Sequence, residues 1–471
     1  MSTTAASRPA LGRLVLPVIC IAQFMVALDV AVVNIALPSI ADAVSLTSSG
    51  LPWVVGAYTL SYGGLLLLGG RAADLFGRRR VFLGGIALFT FASLLCGIAN
   101  SADVLIGARF TQGVGAALAS PSALSLIAVL IPAPSRARAI GLYGAMSGLG
   151  LAAGELLGGV LTSSASWRWA FWVNVPVGVA LLIAAPLVLG EYRGTRRNLP
   201  IPSALVGTAG MLCCVYATIR AGGHGWGNMT TVTTFVCAAV LLALFLCIDF
   251  RTKEPLLPQE LFRDRERTGA YISTFLLYGG MYAVFFFVTV FDQNVLGYSP
   301  LRTGLAFLPV GITIMLATWL ARRAVLRFGL RWLAVIGALL CCVCALLLTR
   351  EGSDSRYINV QLPALLALGI GAGLATVANT LRGVHAIQPA SAGVASGVLG
   401  TARQIGGTLG VAVLPSIAAT VTTHVSAHED TAQAATSGYT AGFAVAACMA
   451  IVAALSSWGI FAGRRRPASA V

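Results

Sequence analysis

The stretch AQFMVALDVAVVNIALPSI, residues 22–40, is apolar along nearly its whole length and contains a single charged residue, Asp29. A helix needs about 20 predominantly apolar residues to cross the hydrocarbon core of a bilayer. This stretch is therefore long enough to span a membrane. It predicts a chain whose fold is set by lipid rather than by a water-excluded globular core.

Similar apolar blocks recur along all 471 residues, and the chain is 57% hydrophobic and only 10% charged. Soluble domains carry about 25% charged residues, so a large soluble core does not fit this composition. We count fourteen spans, numbered in chain order: 14–38, 51–70, 80–99, 103–131, 139–162, 168–190, 201–221, 229–250, 268–291, 303–324, 331–349, 358–381, 393–419 and 438–462. This pattern predicts an all-α polytopic membrane protein with fourteen transmembrane helices.

The net charge of +15 is distributed by side of the membrane. The termini and the loops after the even-numbered spans hold 24 of the 31 Lys and Arg residues, and the opposite loops hold five. Loops rich in Lys and Arg remain in the cytoplasm, so both termini are predicted to be cytoplasmic. The charge is thus explained by topology, and no nucleic-acid partner is expected.

The sequence offers little for catalysis or metal binding. All ten cysteines lie inside apolar spans, and we interpret them as small buried apolar residues rather than as a disulfide or zinc framework. A phosphate-binding loop needs Gly-Lys-Ser/Thr, and the only lysine, Lys253, precedes Glu254. His424 and His428 are four residues apart in an external loop, a pattern that we interpret as polar loop rather than metal site. We predict no enzyme activity, no ATP, no cofactor and no metal.

The clear cases of ionisable residues inside the spans are Asp29, Arg109, Glu155 and Arg403. Each charge costs about 2.5–3.5 kcal/mol near the bilayer centre, so such residues are usually functional. At a rise of 1.5 Å per residue, the first three lie in one layer, about 9–14 Å below the external surface. A salt bridge that only stabilises the fold is one explanation. It needs one acid per arginine, however, and the surplus carboxylate favours proton binding.

Other polar and small residues follow helical spacing. Gln23 and Asn34 share one face of span 1, and Asp29 points about 120–140° away from them. In span 5, a stripe of glycines at four-residue spacing predicts close helix packing; its members are Gly150, Gly154 and Gly158.

Two internal similarities indicate a duplication. DLFGRRRVFLGG at 74–85 is echoed by LRFGLRWLAVIG at 326–337, and GVGAALASPSA at 113–123 by GIGAGLATVAN at 369–379. Parallel six-helix halves are a transporter architecture. We therefore predict an N-terminal half (1–192), an inserted helix pair with a cytoplasmic linker (193–267) and a C-terminal half (268–471).

Several motifs carry a resemblance to a known family. GGRAADLFGRRR at 69–80 looks like the signature loop of the major facilitator superfamily, and LIGARFTQGVGAA at 105–117 resembles its second motif. LDVAVVNIALP at 28–38 and GLGLAAGELLGG at 148–159 look like motifs of its fourteen-helix drug:proton antiporter branch. ARQIGGTLGVAV at 402–413 is similar to a recurrent C-terminal stretch of that branch. The resemblance covers essentially the whole chain and implies the major facilitator fold.

The resemblance also implies roles. Asp29 would bind a proton or a substrate cation, and Arg109 would couple protonation to movement by pairing with an ionised carboxylate. A cytoplasmic latch between the halves would consist of Asp74, Gly77, Arg78, Arg79 and Arg80. The chain departs from the family at Leu75, where an arginine is frequent, and at Glu155, where the fifth-helix motif has proline.

We therefore expect a proton-driven exporter of an amphipathic organic compound, such as a drug or antibiotic, that works by alternating access. The sites expected for proton coupling and substrate are Asp29, Glu155 and Arg109, with Gln23, Asn34, Gln112 and Arg403 as candidate cavity-lining residues. An uptake symporter of the same fold and a non-transporting membrane receptor are the alternatives. The expected setting is the inner (plasma) membrane of a bacterium, and the expected functional form is a monomer.

Overall fold

The computed structural model describes residues 14–46, 50–190, 201–252, 255–352, 356–385, 392–425 and 431–458. Within these ranges, fourteen helices are long and apolar enough to cross a membrane, and no residue is in a strand. In chain order they are α1 (Val15–Ala43), α2 (Leu51–Phe76), α3 (Arg78–Ile98), α4 (Ala102–Leu130), α5 (Pro134–Ser164), α6 (Trp169–Val188), α7 (Ile201–His224), α8 (Met229–Arg251), α9 (Arg265–Asn294), α10 (Pro300–Ala321), α11 (Arg323–Leu348), α12 (Gln361–Gly383), α13 (Val394–Val425) and α14 (Thr436–Trp458). The predicted helix count and all-helical class are confirmed.

Successive helices run in opposite directions, so the bundle has two ends. We call the end at which α1 begins the near end, and the opposite end, at which α1 finishes, the far end. The α10 and α11 helices follow each other without a loop and are joined by a kink at Gly329, whose φ is 77°. Because L-residues with a side chain rarely adopt this φ, the glycine allows the chain to reverse at the near end.

The link between α8 and α9 is ordered by one carboxylate. Asp249, fully buried at the end of α8, accepts hydrogen bonds from the backbone N–H groups of Leu256 and Leu257 and from the Ser203 hydroxyl. A single turn of 3-10 helix, Gln259–Leu261, follows in the segment PQELF. The link is therefore fixed to α7 at the near end.

The first six helices contact one another along α4 and α1. The α2 and α3 helices both pack on α4, and α1 packs along α5. The predicted glycine stripe of α5 faces α1: a Cβ at Gly150 would meet Phe24, one at Gly154 would meet Leu28, and one at Gly158 would meet Val32. Since no side chain intervenes at these positions, the two backbones approach closely.

A seam joins the first six helices to the last six. It consists of α5 against α10, α2 against α13, and α1 against α9. Towards the far end, Asn34 donates to Thr289 Oγ1 at 2.9 Å, and Gln293 donates to the carbonyl of Ile35, also at 2.9 Å. The backbone N–H of Leu301 donates to Ser163 Oγ at 3.0 Å. The far end is therefore closed in this structure.

The α7 and α8 helices pack as a pair beside the seam. The α7 helix contacts both α2 and α13, and α8 contacts α7. The buried residues of α8 are Thr231, Ala238 and Asp249, so this helix presents most of its surface outward. The division at 192/193 falls outside the described residues, and the proposed limits of the two halves and the insertion stay a prediction.

Candidate functional site

A buried ion pair lies between α1 and α4. Arg109 Nη1 is 2.7 Å from Asp29 Oδ2, and both side chains are almost completely excluded from solvent. The same nitrogen donates to Gln112 Oε1 at 2.7 Å, and Nε donates to the carbonyl of Val54 at 3.0 Å. The guanidinium is thereby held in one orientation by three acceptors: a carboxylate, a side-chain amide oxygen and a backbone carbonyl.

The other oxygen of Asp29 is also hydrogen-bonded. Gln112 Nε2 donates to Asp29 Oδ1 at 2.7 Å, and Asn174 Nδ2, from α6, donates to the same oxygen at 2.8 Å. Gln112 in turn donates to Ser93 Oγ of α3. Three helices, α1, α4 and α6, therefore meet at this carboxylate, and α3 joins the network through Gln112. Gln112, a candidate cavity-lining residue, is fully buried within this network.

Aromatic rings enclose the arginine. The guanidinium carbon of Arg109 lies 4.3 Å from the ring centroid of Tyr58 and 5.8 Å from that of Phe171. Stacking of a cation on an aromatic face is favourable, and more so where water is excluded. Removing one member of such a buried pair leaves the other charge uncompensated, which costs about 3–5 kcal/mol. The pair is therefore stable until its charge changes.

Glu155 lies at the same depth as the Asp29–Arg109 pair but does not take part in it. Gly154 packs against Leu28, the residue before Asp29, so the two acids occupy adjacent positions on neighbouring helices. Yet, among the described residues, no ion pair joins Glu155 to Arg109. The side chain of Glu155 is 3% exposed and its Oε2 has no hydrogen-bond partner.

The backbone around Glu155 forms part of the seam between α5 and α10. A Cβ at Gly304 would collide with the carbonyl oxygen of Glu155, and one at Gly311 would collide with Ala152. The backbones of α5 and α10 are therefore in close contact at the position of Glu155. Any separation of α5 from α10 changes the surroundings of Glu155.

The polar residues of α1 face different partners. Gln23 donates to Ser147 Oγ of α5 at 2.8 Å, whereas Asn34 donates to α9 across the seam. Asp29 faces α4 and α6. Polar groups therefore occur on more than one side of α1, and each side contacts a helix.

Arg403 lies apart from the ion pair, on α13. Its guanidinium carbon is 4.9 Å from the ring centroid of Tyr278, and its Nε is buried without a hydrogen-bond partner. Together with Thr376 and Asn379, these residues line a small recess among the C-terminal helices. An arginine, aromatic rings and polar side chains therefore converge at this recess.

The predicted latch residues lie at the near end of α2 and α3. Arg78 Nη2 is 3.3 Å from Asp74 Oδ1, and Arg78 Nη1 donates to the carbonyl of Ser125 on α4. Gly77 separates the two helices with a φ of 102°, which requires glycine. Arg79 and Arg80 begin α3 beside this pair. The bonds of Arg78 therefore stay within the first six helices in this conformation.

Sequence reasoning missed Asn174 and Tyr58. Asn174 is the one polar side chain in the stretch FWVNVPVG of α6, and this interruption of an apolar run is a usable signal. Tyr58 gives no such signal, because aromatic residues are common in spans. Among the described residues, no group of three or more His, Cys, Asp or Glu side chains is placed to bind a metal ion. His428 lies outside them.

Comparison with known proteins gives a consistent picture. Residues 19–411 match the family described as the Major Facilitator Superfamily. A puromycin resistance protein of Streptomyces alboniger is 39% identical over 96% of this chain and 92% of its own length. A lincomycin resistance protein of Streptomyces lincolnensis is 38% identical over 85% of this chain and 83% of its own.

The fold has solved counterparts. The xylose transporter XylE from E. coli, in a partially occluded inward open conformation, superposes with a TM-score of 0.65 over 97% of this chain and 100% of its own. The two sequences are 16% identical, so this likeness concerns the fold alone.

Proposed function

The chain belongs to the major facilitator superfamily, and from that membership we propose that it exports amphipathic organic compounds, antibiotics among them, in exchange for protons. Two relatives of matching length are named for resistance to puromycin and to lincomycin, which supports export as the direction. Membership of this superfamily supports alternating access between two halves.

The observation that carries the proposal is the buried Asp29–Arg109 pair with an unpaired acid, Glu155, at the same level. When Asp29 takes up a proton at Oδ2, its negative charge is lost and its attraction for Arg109 disappears. Arg109 is then a buried cation without a counter-ion, which favours rearrangement of α1 against α4. Burial favours the protonated form of a carboxylic acid and an adjacent arginine favours the ionised form, and this opposition makes a proton switch.

Glu155 supplies a second place for a proton on the same path. Its backbone carbonyl lies against Gly304 in the seam between α5 and α10, and this seam is closed here at the far end. We place the far end outside the cell and both termini in the cytoplasm, on the strength of the positive charge of the near-end loops. Inward proton movement is then favoured by about 2.3 kcal/mol per 100 mV of membrane potential.

The remaining assignments follow the same proposal. A bacterial plasma membrane is the setting, the monomer is the working unit, and protons supply the energy without ATP, cofactor or chemical reaction. The two six-helix halves move relative to each other about the seam. The near-end latch forms between them in the opposite conformation and consists of Asp74, Gly77, Arg78, Arg79 and Arg80.

The test is transport in everted membrane vesicles from a host that lacks its main pumps. Puromycin and lincomycin are added in turn while a pH-sensitive dye follows the vesicle interior. An exporter takes up one of these compounds into the vesicles and releases protons from them at the same time. Uptake that occurs only in right-side-out vesicles would establish the symporter instead. Neither uptake nor proton movement with a wide panel of amphipathic compounds would remove the transport function.

A further inference from the structure

Two buried acids lie at the far end, away from the Asp29–Arg109 pair. Asp292, near the end of α9, is fully buried, and Glu351, just beyond α11, is 6% exposed. Gln361, the first residue of α12, is also fully buried, and its Nε2 donates to Asp292 Oδ1 at 2.5 Å. Three elements of the C-terminal half therefore bring two carboxyl groups and one amide into one cluster.

The cluster has acceptors without donors. Asp292 Oδ2, Glu351 Oε2 and Gln361 Oε1 are all buried and have no hydrogen-bond partner. Buried polar atoms are almost always hydrogen-bonded, so three lone acceptors in one cluster indicate a missing donor. A proton on a carboxyl group converts one of these acceptors into a donor.

The surroundings do not neutralise two negative charges. Arg302 of α10 acts electrostatically on Asp292, Cys344 of α11 interacts with Glu351, and the hydroxyl group of Tyr357 interacts with Asp292. Arg302 stacks on the ring of Tyr298, with 3.7 Å between its guanidinium carbon and the ring centroid. Two interacting carboxylates in a buried site cannot easily both be ionised.

This unfavourable interaction between two buried carboxyl groups affects the pKa of Glu351, which lies beyond the membrane-spanning part of α11. Burial, and after it the nearby Asp292 carboxyl group, raises the pKa of Glu351 to about 8. Burial together with the same Asp292 raises the pKa of Tyr357 to about 12. At neutral pH, Glu351 in the closed structure therefore carries a proton.

We propose that Asp292 and Glu351 form a further proton-binding site, separate from Asp29 and Glu155, which holds one proton between two carboxyl groups while the far end is closed. The segment that carries this site also carries the seam. Gln293, next to Asp292, donates to Ile35 of α1, and the carbonyl of Asp292 accepts the N–H of Tyr298 at 2.8 Å. Three residues further on, Leu301 binds Ser163 of α5. Release of the proton thus puts like charges beneath the contacts that close the far end.

The sign of the pH dependence follows from linkage. A glutamate in water has a pKa of about 4.3, whereas Glu351 in the closed form titrates at about 8. Closing the far end therefore takes up a proton at every pH between these values. The ratio of closed to open molecules falls as pH rises, by up to about tenfold per pH unit within this window, and is constant above it. This inference uses the proposed function only to place the far end outside the cell.

The experiment is hydrogen–deuterium exchange of the full chain in lipid nanodiscs between pH 5.5 and 8.5, without any substrate. Exchange is corrected for its intrinsic pH dependence and followed in peptides covering 33–40 and 295–305. Wild type should lose protection at both as pH rises, whereas Glu351→Gln should stay protected at all pH values. Asp42→Asn removes an exposed carboxyl group near the same end and should behave as wild type.

The Asp292→Asn variant removes the neighbouring charge and so lowers the pKa of Glu351 in the closed form. Its loss of protection should therefore be smaller and be complete at lower pH, in the same direction as in wild type. A flat wild-type profile, or a Glu351→Gln variant with the wild-type slope, would overturn the proposal. A slope that disappears in chelator would overturn it too, since the ligand would then be a metal cation. Because no cargo is present, a failure here leaves the export proposal standing, and a failure of export leaves this site standing.

Discussion

At the scale of single residues, the two acids of the membrane layer differ in what they contact. Asp29 receives hydrogen bonds on both oxygens, from Arg109, Gln112 and Asn174. Glu155 is equally buried, yet its Oε2 has no partner. The first acid is therefore part of the structural framework as well as a candidate proton site, whereas the second can change its protonation without breaking a hydrogen bond at Oε2.

Asp29→Asn should abolish proton-coupled export and lower stability. The amide keeps the size of the side chain but leaves the buried Arg109 charge without its counter-ion, at a cost of up to about 3–5 kcal/mol. Thermal unfolding and dye-reported proton release measure the two effects. Asp42→Asn, an exposed acid on the same helix, is the matched control. Normal proton release by Asp29→Asn would contradict the role assigned to the pair.

Glu155→Gln should behave differently. Because its Oε2 makes no hydrogen bond, stability should change by no more than about 0.5–1 kcal/mol. The amide cannot take up a proton, so fewer protons should move for each molecule exported. The measurement is the proton-to-substrate ratio in proteoliposomes, with thermal unfolding alongside it. An unchanged ratio would remove Glu155 from the proton path and leave Asp29 as the coupling acid.

The sequence predicted part of this site. Helical rise places Asp29, Arg109 and Glu155 at one depth, and the packing of Gly154 on Leu28 agrees with that depth for the two acids. The sequence did not predict which acid pairs with Arg109. That choice depends on which helices are neighbours and how each is rotated about its axis, and both are set by packing over the whole bundle.

At the scale of helices, the contact between α5 and α10 depends on missing side chains. Gly159 meets the backbone of Leu301, and Gly304 meets the backbone of Glu155. The glycine stripe was predicted as a packing face, and it packs on α1. The opposite side of α5 was not predicted to pack closely, because the glycines that allow this contact are divided between α5 and α10.

Gly304→Ala should weaken the closed far end. The new methyl group would collide with the carbonyl oxygen of Glu155, which belongs to the backbone and cannot rotate away. Overpacking of this kind costs about 1–3 kcal/mol. Peptides covering 159–164 and 299–305 should exchange hydrogen faster than in wild type. Gly148→Ala, on the open side of α5, is the control, and equal exchange in the two variants would contradict the prediction.

At the scale of the whole molecule, apolar length alone predicted the number, order and approximate limits of the fourteen helices. It did not predict the position of α7 between α2 and α13, because an apolar helix satisfies the bilayer at any position in the bundle. It also ended span 9 at residue 291, whereas α9 continues to Asn294 and buries Asp292. A hydropathy pattern predicts the end of a span at the first polar residue. Here the polar residue, Asp292, stays inside the helix because the Gln361 side chain donates a hydrogen bond to its carboxylate.

Topology is the property of the whole molecule on which the direction of transport depends. The near-end loops and the termini hold 24 of the 31 Lys and Arg residues, and such loops resist translocation. A green fluorescent protein fused after Val471 should therefore fluoresce, because it folds only in the cytoplasm. Alkaline phosphatase inserted at Gly227, between α7 and α8, should be active, because it needs the oxidising exterior. The control is the same insertion after Thr252, between α8 and α9, which should be inactive. An inactive enzyme at Gly227 together with an active one after Thr252 would show that the topology is inverted. The closed far end would then face the cytoplasm, and the Asp292–Glu351 site would take up its proton from the cytoplasm.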